Sequence, residues 1–72
     1  MNLRLKTKIL ASGRAQIAIA KDIGVAEPIL SKIVNGWIDP KDQLKQRIAN
    51  ALSCQVEDIF PDMEEATKLK DL

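Results

Sequence analysis

QIAIAKDIGVAEPILSKIVNG, residues 16–36, is the stretch that decides how the rest of the chain is read. It has the pattern of a helix, a sharp turn and a second helix. Residues 16–23 place Ile19, Ala20 and Ile23 on one face at one-turn spacing. Gly24 follows at once, where the chain must pass through a left-handed conformation that only glycine adopts cheaply. Val25 is an apolar plug behind it. The second helix starts near Glu27 and turns Leu30 and Ile33 inward. Pro28, Ser31, Lys32 and Asn35 fall on its outer side, with Glu27 and Ile29 on the flanks. Asn35 and Gly36 are its stop signal.

The remaining chain supplies three more helices around this pair. Residues 3–11 form a first helix whose apolar residues are Leu3, Leu5, Ile9 and Leu10, closed by Gly13. After Gly36, the run Trp37-Ile38-Asp39-Pro40 predicts a helix start with Asp39 as N-cap, Pro40 at the first helical position and Asp42 in the first turn. That fourth helix covers residues 41–52 and buries Leu44, Ile48, Ala51 and Leu52. A short fifth helix covers 56–60 and stops at Pro61. The expected fold class is therefore all-α: a compact five-helix domain over residues 1–61, followed by a charged C-terminal tail, 62–72. Within the tail, Met63, Ala66 and Leu69 would share one side of a helix.

Composition narrows the function classes. Seventy-two residues with 46% hydrophobic and 3% aromatic content make one small domain with an aliphatic core. No apolar run approaches the roughly 20 residues that span a bilayer. The basic start MNLRLKTKILASG is not followed by a long apolar segment, so no signal peptide is read. Cys54 is the single cysteine, which with the missing leader favours the cytoplasm. With no His and one Cys, no zinc site of the usual kind is expected, nor any other metal or cofactor. No cluster of acid and base groups suggests catalysis, and no small-molecule ligand is evident. Charge is uneven. Residues 1–47 hold nine basic and four acidic side chains, net +5. Residues 48–72 hold two against six, net −4. Such a basic body suits a polyanionic partner, although a plain solvated surface explains it equally well.

Residues 16–36 also resemble the helix-turn-helix of the phage-repressor family of DNA-binding proteins, the Cro/XRE type. Gln16, Ala20, Gly24, Val25, Leu30, Ser31, Ile33, Asn35 and Gly36 match at the family's spacing. Residues 48–60, IANALSCQVEDIF, resemble the family's closing segment, with Cys54 as a small core residue where Val is common. The departures are specific. Ala15 and Ala26 stand where Ser or Thr usually caps the two motif helices, which costs about 1 kcal/mol per cap. Glu27 stands where Gln is frequent. Val34 occupies an often charged position, and Trp37 and Ile38 lie in an often basic loop.

The resemblance implies a sequence-specific transcriptional regulator, a repressor of phage or mobile-element type, bound as a homodimer to a palindromic duplex operator. Its second motif helix would lie in the major groove, which puts Glu27, Pro28, Ile29, Ser31 and Lys32 at the bases. Lys32 suits guanine O6 and N7. Glu27 can accept from cytosine N4, or can serve the helix dipole. Ile29 would touch a thymine methyl or half-bury against Ile33. Gln16, Arg14 and Asn35 would contact phosphates, with Lys41 and Lys45 as helpers. Trp37 is expected to fold back over the core edge. The alternative is a dimer interface made by Val34, Trp37 and Ile38. A second function class is a protein-interaction module, antitoxin-like, on the same scaffold.

Overall fold

The computed structural model describes residues 1–61. Five α-helices follow one another, α1 Leu3–Ser12, α2 Gln16–Ile23, α3 Glu27–Val34, α4 Asp42–Ala51 and α5 Val56–Ile59, and the described residues contain no strand. The tail, with the helical face expected for Met63, Ala66 and Leu69, lies outside the described residues. No helix among the described residues is long and apolar enough to cross a membrane.

Four helices end at a left-handed residue, and three of them, α2, α3 and α4, end in the same doubly hydrogen-bonded turn. At the end of α2, Gly24 has φ 79°. The Gly24 N–H donates to the Lys21 carbonyl at 3.2 Å, and the Val25 N–H to the Ala20 carbonyl at 3.0 Å. This is the Schellman arrangement, in which two carbonyls of the last turn regain donors; here Val25 also packs against the core. Gly36 repeats it after α3, where the Gly36 and Trp37 N–H groups donate to Ile33 and Lys32 at 3.1 and 2.9 Å. After α4 the left-handed position falls on Ser53, φ 54°, with Ser53 and Cys54 donating to Asn50 and Ala49 at 3.2 and 3.0 Å.

Leu5, Ile19, Leu30, Ile33, Ile48 and Ile59 are the largest fully buried side chains, so each of the five helices contributes at least one residue to one aliphatic core. α2 packs on α3 and α4, and α1 packs on α3 and α5. Leu3 and Leu10, on the other side of α1, are exposed. Of the α4 residues expected inside, Ile48 and Leu52 are buried, whereas Leu44 and Ala51 are half-buried against the core; Ala49 is buried instead.

Asn2 fastens the chain start to two distant elements. Its side-chain oxygen caps α1, accepting from the Leu5 N–H at 3.0 Å. Its side-chain nitrogen donates to the Ile59 carbonyl at 2.7 Å, and its backbone N–H donates to the Val34 carbonyl at 2.8 Å. One residue thus joins α1 to the ends of α3 and α5.

The start of α4 differs from the sequence expectation. Asp39 is not its N-cap, and Pro40 is not its first residue. Pro40 is buried ahead of the helix, so the helix begins at Asp42 with Lys41 in the cap position and no side-chain cap. The Asp39 carboxylate meets the Lys45 ammonium at 3.2 Å instead.

Two substitutions test these turns. Ser53→Gly removes the left-handed penalty of a non-glycine residue, offset in part by the freer unfolded chain, and should stabilise the domain by about 0.5–1 kcal/mol. Asn2→Ala removes a cap and strands the Ile59 carbonyl, and should cost about 1–3 kcal/mol. Urea unfolding followed by circular dichroism reads both.

Candidate nucleic-acid interface

The turn at Gly24 sets α3 beside α2, and burial of Leu30, Ile33 and Val34 pins one side of α3 to the core. Pro28, Ile29 and Lys32 are left exposed on the other side, with Ser31 and Glu27 half-buried. Neither α2 nor α3 has a side-chain cap, as Ala15 and Ala26 lead the sequence to expect. Pro28 sits in the first turn of α3, where its missing N–H costs nothing. A carboxylate at Glu27 is favoured by the positive end of the α3 dipole.

Gln16 and Glu27 meet. The Gln16 Nε2 donates to Glu27 Oε1 at 3.1 Å, which ties the first residue of α2 to the first residue of α3. Asn35 ends α3 and is half-buried; its backbone N–H donates to the Ser31 carbonyl at 2.9 Å. Lys41 is exposed. The structure thus gathers Gln16, Glu27, Pro28, Ile29, Ser31 and Lys32 along one helix pair.

Arg14 and Lys45 do not offer their charge in the way the sequence suggests. The Arg14 guanidinium pairs with the Asp22 carboxylate and also donates to the Ala51 carbonyl at 3.4 Å, so it braces the start of α2 against α4. Lys45 is only 6% exposed and is withdrawn from any phosphate. Its stem is covered, its ammonium reaches Asp39, and the same ammonium lies 5.4 Å from the Phe60 ring centroid. A buried ammonium needs such partners, because water no longer solvates it.

The proposed apolar interface is also revised. Val34 is 5% exposed and belongs to the core, and its carbonyl accepts from the Asn2 N–H. Trp37 does not fold back over the core edge; it is 75% exposed, and Ile38 beside it is 36% exposed. Trp37 follows the left-handed Gly36, and that turn carries the side chain away from the core. What remains of the patch is a two-residue apolar loop rather than a three-residue face.

Cys54 is half-buried against the core. Burial raises its thiol pKa above the ordinary range, with Lys8 opposing and Asp58 adding to the rise. The thiolate is therefore disfavoured at neutral pH, the opposite of what a nucleophile requires. Among the described residues no group of three His, Cys, Asp or Glu side chains could hold a metal ion.

No family model, curated protein or solved structure matches this chain.

Lys45→Ala should cost about 1–3 kcal/mol of unfolding free energy through lost packing of its buried stem and ammonium, while the exposed Lys41→Ala should stay within about 0.5 kcal/mol. Paired denaturation curves check the contrast. Cys54 should react with a disulfide reagent more slowly than free cysteine at neutral pH, and should speed up as pH rises through its elevated pKa.

Proposed function

We propose that this chain is a sequence-specific DNA-binding regulator that inserts α3 into the major groove. The observation that carries this reading is the division of α3 into a core-pinned side, Leu30, Ile33 and Val34, and an outward side with Pro28, Ile29, Ser31 and Lys32. Burial of Val34 adds a third anchor to the two expected from the sequence. An α-helix is about 10–12 Å across with its side chains, which fits the roughly 12 Å width of the major groove. The resemblance of residues 16–36 and 48–60 to phage-repressor helix-turn-helix domains points the same way, and the excess of basic residues in the first 47 suits a phosphate backbone.

In this reading Lys32 donates to guanine O6 and N7 from the middle of the outward side. Ser31 donates to a base or phosphate, and Ile29, 37% exposed, packs on a thymine methyl. Gln16 and the uncapped N–H groups at the start of α2 take a phosphate, helped by the helix dipole. Asn35 and Lys41 supply further backbone contacts. Lys45 supplies none, and Arg14 would have to leave Asp22 to make one. The expected phosphate contacts are therefore about three or four, of which only that of Lys41 is charged, so the salt slope from them is shallow.

The protein would act in the cytoplasm by occupying a promoter, as a repressor of phage or mobile-element type. Binding to a palindromic operator calls for a dimer, and the exposed Trp37–Ile38 loop is where a second copy would meet the first. That same loop supports the second reading, a protein-interaction module with weak or no specific DNA binding.

Selection from a random duplex pool tests the choice. The regulator reading expects an enriched palindromic site, about tenfold or greater loss of affinity with Lys32→Ala, and a shallower salt slope with Lys41→Ala. An interaction module would give no enriched site and binding indifferent to Lys32.

A further inference from the structure

We infer that Glu27 is a cytosine-selecting residue, held at the base edge by Gln16. The inference rests on the DNA-binding reading and adds which base that face requires.

Glu27 opens α3, and Gln16 opens α2. The Gln16 Nε2 donates to Glu27 Oε1 across eleven residues at 3.1 Å. That bond fixes one carboxylate oxygen against the neighbouring helix. Glu27 is half-buried rather than enclosed, so its carboxylate keeps access to a partner. The helix dipole favours the negative charge at this position. The side chain is thus anchored, charged and partly open.

A carboxylate offers acceptors only. In the major groove guanine presents two acceptors, thymine presents one acceptor beside a methyl, and adenine presents a donor next to the N7 acceptor. Cytosine alone presents a donor, its N4 amino group, and no acceptor on its own edge. A carboxylate pinned at one oxygen therefore repels guanine and thymine and meets adenine with one attraction and one repulsion. Cytosine satisfies it. Phosphates repel it as well, so Glu27 cannot drift to the backbone to escape a mismatch. The anchoring by Gln16 sharpens this choice, because a free Glu could turn back to solvent and tolerate any base. An unpaired charge left at a closed interface costs more than a missing attraction, so the discrimination is strong.

The test is a parallel selection from random duplexes with the wild type and Glu27→Gln. Glutamine keeps an acceptor for Gln16 and has the same length, and a thermal melt shows that both proteins are folded. The wild type should enrich a site with one cytosine at a fixed position in each half. Glu27→Gln should lose that cytosine and gain adenine there, since an amide carries a donor and an acceptor together. A duplex with that cytosine pair replaced by thymine–adenine should bind the wild type about tenfold or more weakly. This arm keeps the proposal testable if Glu27→Gln does not fold. If a site is enriched but has the same bases for both proteins, or if the thymine duplex binds equally well, the inference is overturned while the DNA-binding reading stands. If no site is enriched by either protein, both are overturned.

Discussion

The turn at Gly24 is the constraint on which the arrangement of this chain depends. It must reverse the chain between Ile23 and Glu27 while returning donors to the last carbonyls of α2. Glycine at φ 79° does the first, and the paired bonds to Lys21 and Ala20 do the second. The small Ala20, buried one turn before, belongs to the core that α2 and α3 share. Everything proposed about α3 follows from this geometry. Its inward residues reach the core because the turn aims them there, and its outward residues face solvent for the same reason. Gln16 and Glu27 can meet because the two helix starts are set side by side.

The second tie is Asn2. A short helical domain with little aromatic content has a small core and relies on polar closures at its ends. Asn2 closes three of them, at the start of α1 and at the ends of α3 and α5. Arg14 and Lys45 do similar work, bracing α2 against α4 and α4 against Phe60. These two cations support the scaffold, while Arg4, Lys6, Lys21, Lys32, Lys41 and Arg47 remain exposed. The net charge of the first 47 residues therefore overstates how much of it is available to a partner.

Local signals and tertiary ones were unequally legible. Boundaries of α2 and α3 follow from glycine positions and apolar spacing, which act within a few residues. The missing caps at Ala15 and Ala26 were visible for the same reason. Asn2 was legible in principle, as a capping residue type just ahead of an apolar-periodic run, but its bonds to Val34 and Ile59 join residues 32 and 57 positions away. Asp39 and Pro40 carried a convincing cap signal that tertiary packing overrode, since burying Pro40 delays the helix and Lys45 claims the carboxylate. Lys45 itself looks like a surface residue until Phe60 is placed over it. Val34 and Trp37 exchanged the roles expected of them, since Val34 joins the core and Trp37 stands exposed after the Gly36 turn. The face of α3 was legible from helical period except at Val34, which the sequence placed outward and the structure buries.

Amide chemical-shift mapping with duplex DNA is the most direct test of that face. A proton–nitrogen correlation spectrum should show perturbations concentrated at Gln16 and residues 27–35, with the outer side of α1 around Leu3 and Leu10 unmoved. Perturbations confined to α1 or to Trp37 and Ile38, or a spectrum unchanged by DNA at low salt, would contradict the account.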